Sequence, residues 1–202
     1  VIKNCLKFSD RVVVCDDGSA DNTSEVADNA GADVIRHEKN IGKGEALRSL
    51  FKFATHSNND IIVTIDGDGQ FLPEEIPKLV KGIKENKSDI VVGYRFDDTV
   101  DMPDYRKFGN KMLDKMTNMI QELSVRDTQS GFRAYSKKVI EAIDFKMKGF
   151  GADAEILIDA TKKGFRLTEE KISVIYDTGA KTSTKNPISH SGEVITSLFE
   201  IV

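Results

Sequence analysis

Ile61-Ile62-Val63-Thr64-Ile65-Asp66-Gly67-Asp68-Gly69-Gln70 is the stretch on which the reading of this 202-residue chain turns. Its first half is apolar or β-branched at every position, without polar alternation. That pattern describes a strand buried on both faces, as in a parallel sheet covered by helices. Its second half sets two carboxylates and an amide at alternate positions, 66, 68 and 70. Hard oxygen ligands on the end of a buried strand suit Mg²⁺ or Mn²⁺ bound to a diphosphate, because both ions leave coordination positions open for phosphate and water. A second acidic cluster, Asp16-Asp17-Gly18-Ser19, follows the strand-like Arg11-Val12-Val13-Val14-Cys15. Two acidic strand ends in one α/β domain point to an enzyme acting on a nucleotide diphosphate.

Competing readings of the acidic stretch fit less well. Asp and Gly form turns readily, so a plain polar turn is one alternative. A calcium-binding helix–loop–helix loop also begins Asp-x-Asp, but it needs Gly at its sixth position and an acid at its twelfth. Here the sixth is Phe71 and the twelfth is Pro77. A haloacid-dehalogenase-like phosphatase carries Asp-x-Asp-Gly after an apolar strand, yet Gln70 stands where a hydroxyl residue belongs.

Outward from this strand, the chain alternates strands and helices, the rhythm of a mostly parallel sheet. Upstream are a helix from Asn22 to Ala30 that Asp21 can cap and Gly31 ends, a short strand Asp33 to His37, and a helix Gly44 to Ala54. Leu47, Leu50, Phe51 and Ala54 form one apolar face of that helix. Downstream, a helix starts at Pro73 and a strand covers Asp89 to Gly93. Beyond Arg95 the rhythm changes. A polar loop leads to a long amphipathic helix from Tyr105 to Leu123, then to a strand Phe132 to Ser136, a helix Ala152 to Lys163 and a strand Leu167 to Tyr176. Residues 177–191 are polar and rich in Lys, Ser and Thr. The expectation is one domain over residues 1–202, with a nucleotide-sugar-binding half to about residue 94 and an acceptor-binding half after it.

Bulk properties set bounds. Apolar residues make up 39% of the chain, enough for one real core, and a net charge of −4 gives no reason to expect nucleic acid as a partner. Cys5 and Cys15 lack metal-ligand spacing. Cys15 reads as a buried thiol, which favours a reducing, cytosolic setting. No run approaches the roughly 20 apolar residues of a membrane span. The chain opens without Met on Val1 to Phe8, which reads as the end of a helix, and it closes inside an apolar helical pattern at 194–202. Native sequence is therefore expected beyond one or both ends.

Taken in order, Asp16-Asp17-Gly18-Ser19-Ala20-Asp21-Asn22-Thr23, Asn40-Ile41-Gly42-Lys43-Gly44, Asp66-Gly67-Asp68-Gly69-Gln70, Gly93-Tyr94-Arg95 and Asp127-Thr128-Gln129-Ser130-Gly131-Phe132-Arg133 resemble a specific family. The chain is similar to family 2 glycosyltransferases of the GT-A fold, in the branch of dolichyl-phosphate mannose synthases and dolichyl-phosphate glucosyltransferases. The family's first strand, with an apolar-Pro-x-x-Asn-Glu ending, has no counterpart here. The resemblance implies a GT-A-type, mostly parallel nucleotide-binding sheet flanked by helices. It also implies a metal-dependent, inverting transfer of a hexose from a nucleotide sugar of the GDP-mannose or UDP-glucose type. The acceptor would be a polyprenyl or dolichyl phosphate, and the place the cytosolic face of a membrane. Asp16, Asp17, Ser19, Lys43 and Asp66 would hold the nucleotide sugar, with Asp17 on the base. Asp66, Asp68 and Gln70 would hold Mg²⁺ or Mn²⁺.

On the acceptor side, Arg126, Ser130 and Arg133 bracket the Asp127-to-Gly131 segment, with Arg106 and Lys107 ahead of it. Arg presents planar donors suited to phosphate oxygens. The resemblance gives Arg126 and Ser130 the lipid phosphate. A phosphate monoester, with a second pKa near 6, attacks without losing a proton and needs no strong base. A sugar or protein hydroxyl would need one. Asp127 and Asp153 are the candidates, with Glu155 nearby, although acids at a helix start also serve the helix dipole. A non-catalytic nucleotide-sugar-binding module is the remaining alternative. The chain has no Trp, so the Gln-x-x-Arg-Trp motif of processive synthases is absent. His37, His56 and His190 form no ligand set and read as loop or solvent-facing residues. The Lys181 to His190 segment reads as a basic lip or a solvated loop.

Overall fold

The computed structural model describes residues 1–95, 125–149 and 151–175. The expected helix at 105–123, Arg106 and Lys107, and the polar segment at 177–191 with His190 lie outside these residues.

A short helix α1 (Ile2–Cys5) precedes β1 (Val13–Asp16), α2 (Thr23–Asn29), β2 (Asp33–Arg36), α3 (Lys43–Thr55) and β3 (Ile61–Thr64). A 3₁₀ turn (Pro73–Glu75) leads into α4 (Ile76–Lys84) and β4 (Ile90–Tyr94). Then come β5 (Arg133–Ser136), α5 (Lys137–Ala142), α6 (Gly151–Lys162) and β6 (Leu167–Lys171). The last strand ends at Lys171, short of the expected Leu167 to Tyr176, with one further bridge between Phe71 and Val174; Tyr176 lies outside the described residues. Helix α5 was not expected. Asp21 does not cap α2, because its carboxylate turns instead to the Thr23 N–H and hydroxyl.

β1 pairs with β2 in parallel, and the other strands form a sheet in the order β3-β5-β4-β6. β5 is antiparallel to both β3 and β4, and β6 is parallel to β4. β3, β4 and β6 therefore share one direction, and the inserted β5 alone opposes them in this sheet. Two apolar clusters cover its two faces. Ile90, Val92 and Tyr135 join Leu47 and Phe51 of α3 with Ile156 and Leu157 of α6. Val91, Phe132 and Ala134 join Ile76 and Leu79 of α4. This double burial is why Ile90-Val91-Val92 has no polar alternation. No helix among the described residues is long and apolar enough to cross a membrane.

Candidate active site

The carboxyl ends of β1 and β3 and the loop before β5 converge at the start of α3. Lys43, in the first turn of α3, puts its Nζ 3.1 Å from Asp66 Oδ1 and 2.9 Å from Asp153 Oδ2. Burial alone would discourage the Lys43 charge, but the two carboxylates outweigh it and raise its pKa above the usual lysine value. Three residues chosen from separate parts of the sequence thus form one cluster. Asp66 stays about a third exposed, at 36%.

Gly131 makes room for that carboxylate. A Cβ at this position would lie 2.3 Å from both Asp66 oxygens, far inside contact distance. The Thr64 hydroxyl donates to the Gly131 carbonyl at 3.0 Å, pinning the loop to β3 just before Asp66. Asp68 Oδ1 accepts the Gln70 N–H at 3.0 Å, a tight local turn that keeps 66, 68 and 70 on one loop. The residues fit a divalent cation. Two carboxylates and an amide are hard oxygen donors, the Asp66 carboxylate fills a cradle that a Cβ would occupy, and an ammonium ion is already drawn to it. Among the described residues no three His, Cys, Asp or Glu side chains are arranged to hold a metal ion by themselves. Such an ion would therefore complete its coordination with phosphate and water.

Asp16 and Asp17 divide two tasks. Asp16 is buried and accepts bonds from the Ser24 hydroxyl and the Ser19 N–H. Those bonds, the Ser24 one foremost, outweigh burial and pull its pKa down to about 2. Asp16 and Ser19 thus shape the turn between β1 and α2. Asp17 accepts the N–H groups of Ile41 and Gly42 and the Nδ1–H of His37, at 3.1, 2.8 and 2.7 Å. Burial pushes its pKa up, but these donors prevail and hold it below the ordinary value. His37 is accordingly not a loose loop histidine. It buttresses Asp17 while its Nε2 meets the Ser49 hydroxyl at 2.9 Å. Gly18 lets the two loops close, since a Cβ there would strike the Lys39 carbonyl carbon at 2.4 Å. His56 is exposed, and its ring bonds the Lys52 carbonyl on its own helix. Cys15 is only half-buried, with a pKa pushed up to about 11 by burial and the adjoining carboxylates.

The second constellation lies around Asp127. Its side chain is wholly buried and gripped by Arg95, whose Nε and Nη2 donate at 2.6 and 2.8 Å. Ser130 is also buried, its N–H directed to the Asp127 carbonyl. Arg133 is buried among protein carbonyls. Its two terminal nitrogens donate to the Asp153 and Thr128 carbonyls, both at 2.7 Å, so it staples the start of α6 to this loop. An outward, phosphate-facing Arg133 is not what the structure contains. Burying Arg133 here makes Asp153 and the Asp127 loop one rigid unit. Glu155 is a clamp, accepting the N–H groups of Lys146 and Met147.

Arg126 is 64% exposed at the rim, its guanidinium 4.4 Å above the Tyr94 ring and 3.5 Å from Glu169. Burial raises the Glu169 pKa, partly offset by the Arg126 N–H. Sequence reasoning assigned no part to Arg95, Gly131, Glu169 or Gln129. Gln129 is notable because its amide nitrogen and oxygen are both buried without a hydrogen-bond partner. The signal for Arg95 and Gly131 was their place inside recognised motifs. Nothing local marked Glu169.

The profile described as "Glycosyl transferase family 2" matches residues 1–144. The chain belongs to glycosyl transferase family 2. It is an enzyme of the glycosyltransferase class. It is 32% identical over 189 residues to a UDP-N-acetylglucosamine–dolichyl-phosphate N-acetylglucosaminyltransferase of Methanococcus voltae, covering 83% of this chain and 75% of that one. It is 31% identical over 161 residues to a dolichyl-phosphate hexose transferase of Haloferax volcanii, covering 79% and 68%. Among solved structures, glucosyl-3-phosphoglycerate synthase from Mycobacterium tuberculosis superimposes with a TM-score of 0.75 at 21% identity, over 98% of this chain and 72% of that one. That likeness establishes the GT-A fold.

Proposed function

We propose that this family 2 glycosyltransferase moves one hexose from a nucleotide sugar, of the GDP-mannose or UDP-glucose type, to a polyprenyl or dolichyl phosphate at the cytosolic face of a membrane. The two relatives above carry dolichyl phosphate in their names. The observation that carries the reading is the Lys43–Asp66–Asp153 cluster beside the Asp66-to-Gln70 loop. Asp66, Asp68 and Gln70 would hold Mg²⁺ or Mn²⁺, which when bound supplies positive charge to the departing nucleoside diphosphate. Lys43 adds a second positive charge on the same side. Its ammonium would shift from the carboxylates toward the diphosphate as charge develops there.

A phosphate acceptor suits the environment of Asp127. Arg95 occupies both of its oxygens, so the carboxylate serves to hold the loop rather than to strip a proton from a hydroxyl. A phosphate dianion needs no such base, and single displacement with inversion at the anomeric carbon is what the family resemblance implies. Among the described residues, the exposed Arg126 guanidinium and the buried, unpartnered Gln129 amide are the groups available to meet the acceptor phosphate.

A thermal-shift screen of nucleotide sugars with and without Mn²⁺, paired with Asp68→Ala, tests the proposal. The expected result is a metal-dependent shift with one nucleotide sugar, lost in the variant without change in its own melting temperature. Near-normal turnover of dolichyl phosphate by Asp68→Ala would refute the metal role.

A further inference from the structure

The backbone around Lys43 is pinned from both sides. The Gly42 N–H donates to Asp17 at 2.8 Å, and the Gly44 N–H donates to the Lys148 carbonyl at 2.9 Å. A Cβ on Gly44 would lie 1.9 Å from the Met147 carbonyl oxygen, so the 147–148 segment presses directly on the first turn of α3. That segment is itself held, because Glu155 accepts the Met147 N–H and Arg48 donates to the Phe145 and Lys146 carbonyls. Lys43 therefore adjusts through its side chain alone.

The charges around its ammonium are already balanced. Lys43 Nζ lies between Asp66 Oδ1 at 3.1 Å and Asp153 Oδ2 at 2.9 Å, and the buried Arg133 guanidinium stands 4.0 Å from Asp153 Oδ1. Two carboxylates thus meet two cations, and the cluster is neutral. Asp153 and Arg133 are buried and cannot turn to water, whereas Asp66 is the most exposed of the four. Asp68, whose Oδ1 takes the Gln70 N–H, lies outside this balance and offers one further negative charge. A free divalent ion brings more positive charge than Asp68 offsets. Bound to Asp66 Oδ1 at roughly 2.1 Å, it would lie at most about 5 Å from the Lys43 ammonium. In a partly buried site, repulsion at that separation weakens binding by ~10-fold or more. A nucleoside diphosphate changes the sum. Its negative charges offset the ion, and its oxygens give Lys43 a partner besides the two carboxylates.

We propose that Lys43 is a built-in counter-ion that holds the cation's place on Asp66, so that the site takes up Mn²⁺ or Mg²⁺ as a complex with a nucleoside diphosphate and admits the free ion poorly. The identity of the ligand rests on the transferase reading above, and the poor uptake of the free ion rests on Lys43. Asp153 is the fixed anchor of the arrangement, keeping the ammonium within reach of Asp66. By linkage, a weakened grip on the free ion appears as positive coupling between ion and nucleotide.

Calorimetry on the full chain and its Lys43→Met variant tests this, with Mn²⁺ alone and with premixed Mn²⁺–GDP and Mn²⁺–UDP. Mn²⁺ alone is expected to bind the variant ~10-fold more tightly than the parent, and one premixed complex to bind it ~10-fold more weakly. Opposite shifts are the signature of a counter-ion, since a merely structural lysine would weaken both. Free Mn²⁺ that binds both proteins alike, or binds the variant more weakly, overturns the proposal and leaves the transferase reading standing. Should neither complex bind the parent, the transferase reading falls and this proposal with it. The parent alone supplies a second measurement, in case the variant fails to fold. The Lys43 ammonium resonance in NMR is expected to stay in place with excess Mg²⁺ and to move when GDP or UDP joins it. A resonance that moves fully with Mg²⁺ alone, or that responds to neither addition, overturns the proposal.

Discussion

Substituting Gly131 by Ala isolates the geometry of the candidate site from its chemistry. The added Cβ would sit 2.3 Å from both Asp66 carboxylate oxygens, where ordinary contact begins at 3.4 Å. Asp66 must then retreat by about 1 Å, and its 3.1 Å contact with Lys43 opens accordingly. A displacement of that size in a positioned group is worth ~100-fold in rate. Fold stability should hardly change, because Asp66 is partly exposed and can swing outward, and Gly131 has no positive φ that Ala would strain. The expected outcome is a ~100-fold loss in kcat/KM, a weaker response to Mn²⁺ in calorimetry, and a melting temperature within a few degrees of the parent. Any residual melting shift should shrink on an Asp66→Ala background, where the three atoms nearest the added Cβ are gone. Parental turnover by Gly131→Ala, or an undiminished melting shift on the Asp66→Ala background, would refute the reasoning.

Arg95→Met leaves the wholly buried Asp127 carboxylate without its cation, so urea unfolding should show a loss of about 3 kcal/mol, and a loss below about 1 kcal/mol would contradict the grip described here. Asp16 has a folded pKa of about 2, below its ordinary 3.8. Its contribution is therefore complete above the ordinary value and is lost as pH falls from about 4 toward about 2. Melting curves across that window should fall more steeply for the parent than for Ser24→Ala, which lacks the main hydrogen bond. Arg126→Ala should raise the KM for dolichyl phosphate by ~10-fold or more while nucleotide-sugar affinity stays within about 2-fold. Equal losses in both would argue against an acceptor-phosphate role.

The apolar runs at 12–15, 61–65 and 90–92 revealed their strands because successive residues turn to two apolar clusters, as Ile62 does to one and Ile61 and Val63 to the other. Lys43, Asp66 and Asp153 were each legible as candidates from the motifs and the strand and helix ends they occupy, although an acid at a helix start, such as Asp153, also serves the helix dipole. Their meeting was not legible. It depends on α3 crossing from one strand end to the other and on Gly131 leaving space. Arg133 shows the opposite limit: one more arginine in a phosphate-binding motif by sequence, it becomes a core staple only because the Asp153 and Thr128 carbonyls arrive from elsewhere. Arg95 and Asp127, 32 positions apart, could be paired by no local rule. Residue type and strand order are written along the chain, whereas the partners that decide whether a charge binds substrate or holds the fold come from distant segments and exist only once those segments are packed together.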